Sequence, residues 1–200
     1  MTIEFTTAYT KSPVVEFSWP VEALQTLFEQ CRMWNQAPTI EGMGYLELSK
    51  RLIKHEYQFT DKNTSWQELV EAVDNSKLQL VKQILSIDTE NRWPPLPETI
   101  AEHLHVYMYL VTDLEGYSMP AHLDTRSVFA AGYLNVFENE SLTEISNKRP
   151  SLFNRSKYRA PGKQGQGVLW LNTENSWHWV NKSSKIRRSI FFSIQLIPWN

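Results

Sequence analysis

The chain has 200 residues, 42% of them hydrophobic and 21% charged, enough to bury one core as a single domain over residues 1–200. A formal net charge of −2 creates no field that would draw nucleic acid or an acidic membrane surface. One cysteine, Cys31, excludes an internal disulfide framework and suits a reducing compartment.

The opening "MTIEFTTAYTKSPVVEF" has no charged region followed by an apolar one, and no apolar run approaches bilayer length, so a cytoplasmic location is expected. "SWPVEALQTLFEQCRMW" puts Ser18 and Pro20 in helix-opening positions and spaces Val21, Leu24, Leu27, Phe28 and Cys31 on one face, which predicts an amphipathic helix. A further helix is expected between Tyr45 and Tyr57. In "TSWQELVEAVDNSKLQLVKQILS", Ser65 and Glu68 have capping-box spacing and Leu69, Val73, Leu80 and Ile84 continue an apolar face. The prolines of "RWPPLPET" end the helical pattern.

Beyond them, "HVYMYLVT", "SVFAAGYLNVF", "GQGVLWLNT" and "RRSIFFSIQLIP" are rich in aromatic and β-branched residues, with turn-forming residues between them, and read as strands. Helices followed by strands predict an α+β domain: a mostly helical support region over 1–100 and a β core over 101–200. "NKRPSLFNRSKYRAPGKQGQG" carries six basic residues between Lys148 and Lys163. It is expected to be a solvated loop, or a rim that meets an anionic substrate.

Two features carry chemistry. His122 and Asp124 stand two apart in "SMPAHLDTRSVFAAGYLN", where an extended chain aims both side chains at one face, and His178 follows 54 residues after Asp124. His-x-Asp alone is common by chance. Joined by a second histidine beside a strand, it offers two imidazoles and a carboxylate for one face of an octahedral metal, with the opposite positions open, an arrangement suited to non-haem iron(II). In the last strand, alternation puts Arg188, Ile190, Phe192, Ile194 and Leu196 on an apolar face and Arg187, Ser189, Phe191 and Ser193 on the other. A guanidinium with two hydroxyls is poor material for a dry core and good material for holding a carboxylate, so parity selects Arg187 over its neighbour. Trp170, Trp177 and Trp179 read as core or rim packing before substrate lining, and His55, His103 and His105 as structural or surface residues.

His122-x-Asp124, the distal His178 and, nine residues on, Arg187 in an R-x-S strand resemble the iron(II)- and 2-oxoglutarate-dependent dioxygenases over roughly the last hundred residues. The resemblance implies a double-stranded β-helix, a jelly-roll, cupin-like barrel with the N-terminal helices packed on its larger sheet. It implies iron(II) held by His122, Asp124 and His178 as the catalytic set, with the distal carboxylate of the co-substrate 2-oxoglutarate on Arg187, helped by Ser189 and by Tyr133 of "GYLN". The implied reaction uses O2, converts 2-oxoglutarate to succinate and carbon dioxide, and hydroxylates an unactivated C–H bond of a small molecule such as an amino acid or natural-product intermediate. Halogenating relatives carry a small residue in place of the carboxylate, so Asp124 favours hydroxylation. Two features depart from the prolyl-hydroxylase pattern: Met119 stands where a tyrosine is common, and no "GGxT" segment follows "YLN". The alternative is a non-oxidative cupin-type jelly roll that binds a metal or a sugar, which would have no need of Arg187 at that parity. No nucleic-acid or membrane partner is evident, and the sequence does not set the oligomeric state.

Overall fold

Short runs of β-branched and aromatic residues form strands throughout the part of the chain that the computed structural model describes, residues 5–9, 12–19, 21–24, 51–55, 82, 103–151 and 158–196. These strands are β1 (Phe5–Tyr9), β2 (Val14–Ser18), β3 (Arg51–His55), β4 (Leu104–Asp113), β5 (Met119–His122), β6 (Val128–Asn135), β7 (Thr143–Ser146), β8 (Tyr158–Arg159), β9 (Gln166–Leu171), β10 (Trp177–Val180) and β11 (Arg187–Leu196). They pair antiparallel into a seven-stranded sheet, ordered β1-β2-β9-β6-β11-β4-β3, and a four-stranded sheet, ordered β5-β10-β7-β8. Val14, Ala131, Tyr133, Val168 and Trp170 of the larger sheet share one buried cluster with Ile145 of the smaller, so the core lies between the sheets.

Three sequence expectations change. The stretch expected to be a helix between Tyr45 and Tyr57 contains β3, whose Ile53 lies opposite Val111 of β4. Pairing along a ten-residue neighbour outweighs a weak local helix preference. Ser18 ends β2 instead of opening a helix, and only a 3-10 turn over Val21–Leu24 follows it; the rest of that expected helix lies outside the described residues. Lys82 is helical, and the remainder of the helix expected from Ser65 onward is likewise outside them. Thirdly, the first 55 residues supply β1, β2 and β3 to the larger sheet, so strands are not confined to the second half of the chain.

β11 sets the two faces of the larger sheet. Ile190, Phe192 and Ile194 are buried on one face, where Phe192 meets Phe17 edge-on at 6.1 Å between ring centres. Arg187, Ser189, Phe191 and Ser193 lie on the other, and Phe191 sits directly opposite Tyr133 of β6. Gly132 permits the close pairing of β6 with β9, because a Cβ there would lie 2.1 Å from the Val168 carbonyl oxygen and 2.8 Å from the Leu169 Cα. Backbone cannot yield as a flexible side chain does. Gly132→Ala should therefore lower stability by about 1–3 kcal/mol, as overpacking does elsewhere, and a denaturant midpoint equal to that of the parent protein would refute this.

Candidate functional site

His122 and His178 face each other across the β5–β10 ladder as directly opposed residues, with ring centres 4.2 Å apart. Asp124 lies just beyond the end of β5, in a turn held by Asn172, whose side-chain amide donates to the carbonyls of Thr125 (2.9 Å) and Val128 (2.8 Å). One potential ligand atom from each of the three residues lies within 4.8 Å of the other two. Nδ1 of His122 donates to the Pro120 carbonyl at 2.9 Å, and Nδ1 of His178 to the Ser176 carbonyl at 3.0 Å. A carbonyl only accepts, so each hydrogen bond puts the proton of a neutral ring on Nδ1 and leaves the Nε2 lone pair for a metal. Nε2 of His178 is 3.6 Å from Oδ1 of Asp124. The other carboxylate oxygen, Oδ2, accepts from the Trp170 indole at 3.3 Å, and the Trp170 ring centre lies 4.8 Å from that of His178. His178 is only 2% exposed, whereas His122 and Asp124 are half-buried. The trio thus has a closed side against the core and a more open side toward solvent. Two neutral imidazoles and one carboxylate fit a divalent transition metal that keeps positions free for other ligands.

Arg187 begins β11 and is 5% exposed. Its Nη2 donates to the Thr143 hydroxyl at 3.0 Å, its Nη1 stands 3.9 Å from Oδ2 of buried Asp113, and its guanidinium carbon lies 4.8 Å from the centre of the Tyr133 ring. Asp113 is the residue directly opposite Arg187 on β4. Around this guanidinium three buried polar atoms have no partner in good hydrogen-bond geometry among the described residues: Arg187 Nη1, the Tyr133 hydroxyl, whose polar neighbour is Thr143, and Ser189 Oγ. An unsatisfied buried group typically costs about 1–3 kcal/mol, so three together form a ready set of partners for an anionic ligand. Burial raises the Tyr133 phenol above its ordinary range, with the Arg187 charge acting the other way. The phenol therefore stays protonated and able to donate.

The smaller sheet fixes how these two clusters lie relative to each other. His178 is opposite Ile145 of β7 and Val180 is opposite Thr143, the residue that holds Arg187. Two residues along a strand amount to about 7 Å, within the reach of a short dicarboxylate.

No protein-family model matches the sequence, and no curated protein matches it. Solved structures do match the fold. A prolyl-4-hydroxylase from Pseudomonas putida is similar over 94% of this chain and 94% of its own, with a TM-score of 0.64 at 13% identity. AviO1 from Streptomyces viridochromogenes Tue57 is similar over 94% and 93%, with a TM-score of 0.61 at 12% identity. SnoN, a non-heme α-ketoglutarate-dependent epimerase of nogalamycin biosynthesis, is similar over 96% and 83%, with a TM-score of 0.59 at 11% identity. The fold is that of the iron(II)- and 2-oxoglutarate-dependent oxygenases. On this oxygenase fold the trio comes from β5, the turn after it and β10 in the smaller sheet, while Arg187, Tyr133 and Ser189 come from β11 and β6 in the larger.

The remaining candidates fall elsewhere. Trp177 and Trp179 alternate with His178 on the opposite face of β10 and are half-buried, with the Arg149 guanidinium 5.5 Å from the Trp177 ring. Of the basic loop, residues 152–157 lie outside the described residues. His105 is exposed against the Tyr107 ring, and His103 is half-buried. Trp170 is neither mouth nor rim, being 2% exposed against the trio. Sequence reasoning missed Thr143 and Asp113, 44 and 74 positions from Arg187, which reach it from the facing sheet and through register on β4 respectively, where no local signal exists.

Proposed function

We propose that this chain is an iron(II)- and 2-oxoglutarate-dependent oxygenase that hydroxylates a C–H bond of a small molecule, such as an amino acid or natural-product intermediate. One observation carries the reading: the trio of His122, Asp124 and His178 shares the interior of an oxygenase fold with the buried Arg187 guanidinium, beside which the Tyr133 and Ser189 hydroxyls have no hydrogen-bond partner among the described residues. A non-oxidative metal or sugar site has no use for that guanidinium. Iron(II) held by the trio would supply activation of dioxygen coupled to decarboxylation of 2-oxoglutarate.

The side chains have separable tasks. His122 and His178 present neutral nitrogens and Asp124 a single negative charge, so a bound divalent ion keeps net positive charge toward an anionic chelator. Arg187 receives the far carboxylate of 2-oxoglutarate in its planar fork, and Thr143 and Asp113 keep that fork oriented. Tyr133 and Ser189 donate their hydroxyls to the same carboxylate, which provides partners that the buried atoms otherwise lack. Val14, Ala131, Val168 and Ile145 form an apolar wall that limits water around the reacting groups. A small-molecule substrate is in keeping with SnoN, whose complex holds nogalamycin RO together with Fe3+ and α-ketoglutarate.

Anaerobic addition of iron(II) and 2-oxoglutarate should produce a weak visible charge-transfer band, and a screen of small molecules should find one that raises succinate formation above the uncoupled background. Absence of the band from iron-loaded protein would remove the oxygenase reading. A substrate that gains one oxygen atom identifies hydroxylation, whereas inversion at unchanged mass would replace it with epimerisation, the activity ascribed to SnoN.

A further inference from the structure

Trp170 lies on β9, directly opposite Ala131 of β6 on one side and Val14 of β2 on the other. Its indole has one N–H and no acceptor, and a buried N–H of this kind requires a partner. The partner is Oδ2 of Asp124 at 3.3 Å, while the ring lies against His178. Resting on the oxygenase reading above, we propose that Trp170 is a positioning residue for the metal carboxylate, its N–H reserving Oδ2 so that Asp124 binds the ion through Oδ1 alone.

The need for such a residue follows from where Asp124 sits. The strand that carries His122 has ended, so Asp124 lacks the ladder that fixes both histidines, and the terminal torsion of a carboxylate is broad and roughly two-fold. A carboxylate free to turn can bind a metal through both oxygens and occupy an extra coordination position. A donor on a fully paired interior strand removes that freedom: with Oδ2 held, Oδ1 is the oxygen left beside His178 Nε2, at 3.6 Å. One-oxygen attachment leaves the face opposite the trio for a chelating co-substrate and dioxygen.

The test is a titration of Mn(II) into Trp170→Phe, with thermal melting to show that the variant is folded. Phenylalanine retains a ring against His178 and loses the N–H. Metal affinity should fall roughly tenfold, the lower end of the 10–100-fold range for partners of metal ligands. Leu169→Ala, which opens a cavity on the other face of the same strand, is the packing control and should change affinity by less than about twofold, since loosening away from the trio adds little. Unchanged affinity in Trp170→Phe, or an equal loss in Leu169→Ala, would overturn the proposal. A second measurement does not depend on Trp170→Phe folding. Of the indole N–H resonances of the eight tryptophans, one should move upfield in Asp124→Ala, and if none moves the hydrogen bond is not formed and the proposal fails. Wild-type protein that takes up no Mn(II) would bring down the oxygenase reading itself, an outcome separate from unaltered binding by Trp170→Phe.

Discussion

Alanine at His178 should abolish both divalent-metal binding and turnover in a protein that still folds. The imidazole is buried, its Nδ1 is tied to the Ser176 carbonyl, and its Nε2 faces Asp124, so the substitution removes a nitrogen already oriented for the proposed metal. Loss of a ligand itself should exceed the roughly 10–100-fold effect of losing a ligand's hydrogen-bond partner. Alanine at Asp124 should be as damaging by a different route, because it removes the one negative charge of the trio. His122→Ala should match both in metal binding with less loss of stability, since His122 is only half-buried and leaves a smaller hole in the core. Metal titration of each variant, alongside its denaturant midpoint, separates the two effects. Full activity in Asp124→Ala would dissolve the trio, and retained activity in His178→Ala would mean that the second imidazole has another role.

What the sequence disclosed about these residues depended on the length over which a pattern could repeat. β11 runs for ten residues, enough for alternation in the sequence to divide Arg187 from Arg188. β7 and β8 have four and two residues, too few to display a period, and so Thr143 went unnoticed although it holds the Arg187 guanidinium. β1 and β2, with five residues each, are likewise short, and the helix-opening residue types at Ser18 and Pro20 stand at and just past the C-terminal end of β2. β3 was misjudged for a related reason, since its strand state comes from pairing with β4 and not from a pattern of its own. A strand aims only His122 of the His122–Asp124 pair. The strand stops at His122, and Asp124 is directed by a turn anchored from Asn172 and by the Trp170 indole. Those supports lie more than forty residues away in sequence, where only the folded register brings them near.

Arg187→Ala should weaken 2-oxoglutarate binding to the metal-loaded protein on the order of a hundredfold or more, while Arg188→Ala should shift it by less than about threefold. The two residues are neighbours with opposite surroundings. Arg187 is buried on the inner face beside Thr143, Asp113 and the Tyr133 ring, whereas Arg188 lies on the other face with its guanidinium carbon 5.3 Å from the Phe137 ring. Breaking a buried, hydrogen-bonded charge pair typically costs about 3–5 kcal/mol, which sets the expected loss. Lysine at 187 should recover only part of it, because a point charge replaces a two-pronged planar donor. Arg187→Ala also leaves the buried carboxylate of Asp113 without the guanidinium that faces it, so part of the damage should fall on stability. The double variant Arg187→Ala/Asp113→Asn separates the two contributions: neutralising the carboxylate that faced the guanidinium should raise the denaturant midpoint above that of Arg187→Ala without restoring co-substrate affinity. If affinity returned with stability, Arg187 would be a structural residue and no ligand for 2-oxoglutarate. If Arg188→Ala were instead the damaging change, the inward face of β11 would have to be reassigned by one residue along its whole length.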